Sequence, residues 1–212
     1  MNKWVSVFGA GMIAVGVLSG GCTSSSDIQR RVAEQKRTYL LEADTAAVAV
    51  QPVRFGEVKI RTFRSLPPFN SPGLVVKRAN GETVLDFYTA WIAAPHELVR
   101  VQAARYLEKA GLFRAVHDTA SGTLPSLGLE GTVCELFLDC RGEKPEAVVT
   151  LRLVVLDERT PGFTVLCTAE ETARAEYDPA REDGIAQAFN SALTQVLGAL
   201  ARELGSGDNA KK

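Results

Sequence analysis

The sequence predicts an α+β domain, an α/β sandwich whose mixed, largely antiparallel sheet is packed by one mid-chain helix and a long C-terminal helix. Two observations lead there. Three long alternating runs, 130–139, 147–156 and 163–173, follow one another with only charge-rich turns between them, which is the pattern of an antiparallel meander. Apolar residues also recur at helical spacing after Pro95 and again from Ile185 to Leu204, and each such stripe must lie against another layer.

The chain begins MNKWVSVFGAGMIAVGVLSGGCTSSSD. Gly9-x-Gly11-x-x-Ala14 has the spelling of a dinucleotide loop, which works only between a strand and a helix whose N-terminus meets the pyrophosphate. Gly16, Gly20 and Gly21 weaken the helix that this reading requires. An export signal accounts for more residues: Lys3 is a short basic start, 4–18 is uncharged and apolar, and small residues lead to a cysteine. The apolar stretch is shorter than the roughly 20 residues that span a bilayer. Its end resembles a bacterial lipobox, in which a peptidase cuts before a cysteine that then carries diacylglycerol. Cys22 is the matching residue, with Leu18 one step further away than the usual aliphatic position. Residues 1–21 are thus assigned to a lipoprotein signal peptide, 22–37 to a lipidated polar tether, 38–205 to the domain and 206–212 to a frayed tail. Thr23, rather than aspartate, follows the cysteine; this points to the periplasmic face of the outer membrane.

Structure is expected to start at Thr38-Tyr39-Leu40-Leu41, with further strand-like runs at 47–53 and 58–63. Asn80-Gly81 between LVVKR and TVLDFY predicts a hairpin with a type I′ turn. Ala94-Pro95-His96-Glu97 reads as a helix start, with Leu98, Val101, Arg105, Tyr106 and Leu107 at near-helical spacing and Gly111 as the stop. A short strand follows at 113–116, then the meander, in whose last run Phe163, Val165, Cys167 and Ala169 share the covered face. Asp178-Pro179 supplies a cap and first residue for the C-terminal helix, and Gly205 ends it.

A net charge of −1 without a basic cluster inside the domain argues against nucleic acid as a partner. With Cys22 acylated, Cys134, Cys140 and Cys167 remain. Two cysteines six apart on one strand stand near 20 Å from each other, beyond disulfide reach, so these read as small buried thiols. His96-Glu97-x-x-Arg100 misses the zinc-protease helix motif because arginine cannot ligate metal. His117 is the only other histidine, no G-x-S-x-G elbow exists, and Glu170-Glu171 and Glu182-Asp183 are ordinary neighbours. No catalytic residue, metal ligand or cofactor site is therefore assigned. Phe63, Leu66, Phe69 and Leu74 flank proline turns and Tyr88 and Trp91 end the hairpin; these are candidate contacts for a partner or a lipid, unless they cap the core under a long loop.

Taken in order, Cys22, the Thr38-Tyr39-Leu40-Leu41 start, VAVQPV, Leu74-Val75-Val76-Lys77-Arg78, LDFYTAWIAAPHELV and ARYLEKAGLF resemble the ABC-type transport auxiliary lipoprotein family, which includes the PqiC-like lipoproteins. The resemblance runs from Cys22 to about Leu204, with a longer segment between Pro52 and Leu74 and AAPHEL where the family often has a proline-leucine pair. It implies a periplasmic domain without catalysis that docks with an ATPase, a permease and a substrate-binding protein of the mammalian-cell-entry (MCE) type to move lipid. Phospholipid and a second copy of the chain are further candidate partners. Two rivals stand beside it: a structural or assembly lipoprotein that handles no lipid, and an envelope hydrolase.

Overall fold

The computed structural model describes residues 36–46, 48–159 and 161–206. Cys22, the signal and nearly all of the tether, and the tail from 207 lie outside the described residues. The element order is β1 (Arg37–Tyr39), β2 (Phe55–Ile60), β3 (Arg64–Ser65), β4 (Gly73–Arg78), β5 (Thr83–Trp91), α1 (Pro95–Ala110), β6 (Phe113–His117), β7 (Leu127–Cys140), β8 (Glu146–Asp157), β9 (Thr164–Glu176) and α2 (Gly184–Ser206).

The sheet is built around β7. Along one edge it pairs with β8 antiparallel from Leu127 to Asp139, and β8 pairs with β9 in the same sense. Along its other edge β2, β3 and β4 are aligned end to end, all parallel to it, at Leu127–Leu129, Thr132–Val133 and Phe137–Cys140. Beyond them β6 pairs parallel with β2, β5 antiparallel with β4, and β1 parallel with β5. The long ladders are antiparallel and the short ones parallel, so the expected mixed α+β architecture with two packing helices is the one observed.

Both helices cover the same face, α1 over β6, β7 and β3 and α2 over β8 and β9. Cross-strand register shows which side chains point there: Leu129↔Val155↔Cys167, Gly131↔Leu153↔Ala169 and, past a bulge at Cys134, Leu136↔Val149↔Ala173. Against this layer α2 buries Phe189, Ala192, Leu193, Val196, Leu197, Leu200 and Leu204. The opposite face carries crossed polar rows. Thr150 donates to Glu135 at 2.9 Å and lies 2.9 Å from Thr172, while Arg152 bonds Glu170 at 2.5 Å.

Several local expectations are corrected. Of the run expected at 47–53, the described residues 48–53 form no strand; the chain is held there by the Gln51 amide on the Ala110 carbonyl (2.7 Å), an irregular contact with the end of α1. The next strand lies at Phe55–Ile60 rather than 58–63, because its partner β6 runs from Phe113 to His117 in that register. The Asn80-Gly81 turn is a three-residue loop: Gly81 has φ 86° whereas Asn80 does not have positive φ. The Gly81 amide bonds Arg78 and the Arg78 amide bonds Glu82, the geometry of a type I turn closed by a glycine bulge rather than type I′.

On α1 the buried stripe is Val99, Gln102, Ala103, Tyr106, Leu107 and Ala110, rotated from the expected one; Leu98 and Val101 are half-buried and Arg105 is exposed. Gly111 closes the helix at φ 72°, as expected. Phe163 and Val165 are exposed. Phe163 belongs to the turn, at φ 52°, and the Val155/Leu156 bulge leaves Leu166 unopposed, so Val165 leaves the covered face. The Asp178-Pro179 pair makes a turn closed by the Ala180 amide on Asp178 (2.9 Å), and α2 starts six residues later, where the Gln187 amide reaches the Asp183 carbonyl at 3.0 Å. It runs through Gly205 to Ser206.

Trp91 locks the two layers together, its ring edge-on to Phe189 at 4.9 Å and 82° and its amide on the Pro72 carbonyl at 2.7 Å. Phe189→Ala should therefore cost about 3–5 kcal/mol in urea unfolding, with a red shift of Trp91 emission in the folded baseline. An unshifted emission would show that the contact does not hold the indole.

Candidate functional site

Several of the groups that could carry chemistry have structural partners. Arg100, in the position where a zinc motif needs histidine, bonds Glu97 at 3.2 Å and Asp118 at 2.8 Å, tying the first turn of α1 to the end of β6. His96 sits 3.7 Å from Glu97, and His117 lies 3.1 Å from Glu57 across the β2–β6 ladder. Among the described residues no group of three or more histidine, cysteine or acidic side chains is placed to hold a metal. Cys134, Cys140 and Cys167 are free thiols, and Cys134 and Cys140 stand on the one strand β7. Burial pushes all three up, away from the thiolate form that a nucleophile needs.

The buried carboxylates are ion-paired. Arg141, hydrogen-bonded at 2.8 and 2.7 Å, holds Asp139 far below the usual carboxylate range, with Arg174 adding to it. Arg159 holds Asp157 down to about 2 through side-chain and backbone bonds. The two pairs share a local pattern: each aspartate is the last or next-to-last residue of its strand, and an arginine two residues later folds back over it.

Of the six expected contact residues, four are core. Phe63 lies against Gly131, where even one added methyl would meet its ring at 2.2 Å. Phe69 stacks on Phe137 at 6.2 Å on the polar face, where Lys77 also crosses the Phe137 ring at 3.5 Å. Leu74 and Trp91 are buried as well. The proline loop folds down so that Phe69 covers Phe137; of the two alternatives the sequence left open, burial in the core is the one observed for Phe63, Phe69, Leu74 and Trp91. Leu66 and Tyr88 are exposed.

A different apolar surface lies along β5. Leu85, Phe87 and Ile92 are exposed together with Tyr88, as is Leu40 beside β1. The cause is local. Leu74 pairs with Asp86 but Gly73 pairs with Ala90, so residues 87–89 bulge away from β4. The Asp86 carboxylate accepts the Tyr88 amide at 3.0 Å, and the two rings meet edge to face at 5.2 Å and 86°. Thr89 then pairs with Arg37 of β1. The signal was in LDFYTAW: adjacent aromatics in a regular strand point to opposite faces, so a pair that is exposed together requires a break in the pleat.

The Asp157 pair gives a signed pH dependence. Its pKa is about 3.9 unfolded and about 2 folded, so its stabilisation is complete above pH 4 and lost as pH falls through 2. In urea midpoints, Asp157→Asn should be less stable than wild type at pH 6, and the gap should shrink as pH falls from 4 through 2; a gap that persists unchanged would refute the pairing.

No family model and no curated protein matches the chain. The structure is similar to that of a Xanthomonas campestris protein of family DUF330, with 19% identity over 80% of this chain and 93% of that one and a TM-score of 0.60. It is also similar to an uncharacterised protein at 13% identity, covering 79% of this chain and 99% of that one, with a TM-score of 0.57. At such identities the likeness is one of fold: the chain carries the mixed-sheet, two-helix architecture found in the DUF330 protein.

Proposed function

We propose that this chain is a periplasmic lipoprotein anchored through Cys22 to the outer membrane, and a subunit of an ABC/MCE-type lipid transport system that works by docking and binding rather than catalysis. The observation that carries it is the exposed aromatic bulge on a domain whose described ionisable clusters are tied up in structural ion pairs. Such a surface suits association, since exposed apolar groups rimmed by polar ones mark contact sites. The export segment ending at Cys22 supports the anchor, because several acyl chains at about 0.8 kcal/mol per buried methylene hold a soluble domain on a membrane. The family resemblance supplies the permease, the ATPase and the MCE-type substrate-binding protein as partners.

Radiolabelled palmitate should enter the wild-type protein and not Cys22→Ala, and the variant should leave the outer-membrane fraction; an unlabelled wild type would remove the anchor. The lipid-free domain should retain phospholipid, read by mass spectrometry, or bind the substrate-binding protein in a pull-down. Finding neither leaves the assembly lipoprotein as the reading that stands.

A further inference from the structure

We infer that the β5 bulge is a second, non-covalent contact with the bilayer, in which Phe87 and Tyr88 enter the headgroup boundary of an anionic lipid surface beside the point where the tether joins the domain. This rests on acylation of Cys22. Phe87 is 79% exposed and Tyr88 45%, and the bulge turns outward two neighbouring rings that a regular strand would send to opposite faces. Tyrosine, with an apolar ring and a polar tip, suits a membrane interface.

Position selects the occupant. The chain leading from Cys22 enters the fold at β1, whose Arg37 is paired with Thr89, the residue after Tyr88. A stretch from Cys22 to Arg37 reaches at most about 50 Å when fully extended, so whatever surface holds the acyl chains is always within range of this edge. Lys36 and Arg37 are exposed at the same place and favour anionic headgroups. Leu40 and Ile92 extend the apolar edge along the same pair of strands, where the Ile92 amide bonds the Tyr39 carbonyl at 2.9 Å. Weak insertion suffices here, because a covalent link of so few residues holds the bulge at an effective concentration on the order of millimolar.

The test uses acylated full-length protein carrying Phe87→Trp, reconstituted into phosphatidylethanolamine–phosphatidylglycerol vesicles with or without brominated acyl chains. Wild type supplies the baseline, since Trp91 is buried against Phe189. The new indole should shift to the blue on reconstitution and lose emission with the brominated lipid, while the baseline holds. Acylated protein that floats with the vesicles but shows an unquenched indole overturns the contact and leaves the anchor standing; the bulge then faces protein or water. A chain without acyl groups by mass spectrometry overturns both.

Discussion

The rest of the fold depends on β7 being paired on both edges. Its 14 residues are too many for any one of the short parallel strands to match, so three of them are laid end to end against it. Each is fixed by a few register pairs, and the connections between them are thereby fixed too: the proline loop between β3 and β4 must pass over the polar face, where Phe69 meets Phe137. The bulge at Cys134 is the adjustment that keeps the apolar side facing the helices, with Val133 on one side of it and Leu136 on the other.

From that spine the division of the two faces follows. The helix side is an almost unbroken aliphatic layer, closed by Trp91 against Phe189. The other side carries opposite charges on neighbouring strands, such as Arg152 with Glu170 and Arg174 with Glu146, and is solvated except where the proline loop lays Phe69 over Phe137. Only at the outer strands does the scheme relax. There β5 departs from its partner by three residues, and the exposed rings result.

The parts that sequence made legible are those with local periodicity: the meander, the hairpin with its glycine, the C-terminal stripe from Phe189 to Leu204 and the Gly111 stop. What it hid has a common cause. Each bulge, at 87–89, at Cys134 and at Leu166, resets a period of two, so face assignments read by alternation fail beyond it, as they did for Val165. The parallel ladders join β7 to strands far back in the chain, and nothing in 48–53 distinguishes an apolar run that pairs from one that only crosses the end of α1. Phe63 and Phe69 looked exposed because they flank proline turns; whether a loop aromatic is free depends on what lies beneath it, and Gly131 and Phe137 are distant in sequence.

A domain of this kind, with paired charges, one buried and two half-buried thiols and an aromatic edge beside its first strand, suits a component that holds others in place. The most direct measurement is purification of the acylated protein from cross-linked cell envelopes, with mass-spectrometric identification of what comes with it. The account predicts a permease, an ATPase and an MCE-type substrate-binding protein enriched together over a control lacking Cys22. Recovery of envelope-assembly proteins with no transporter subunit would contradict it.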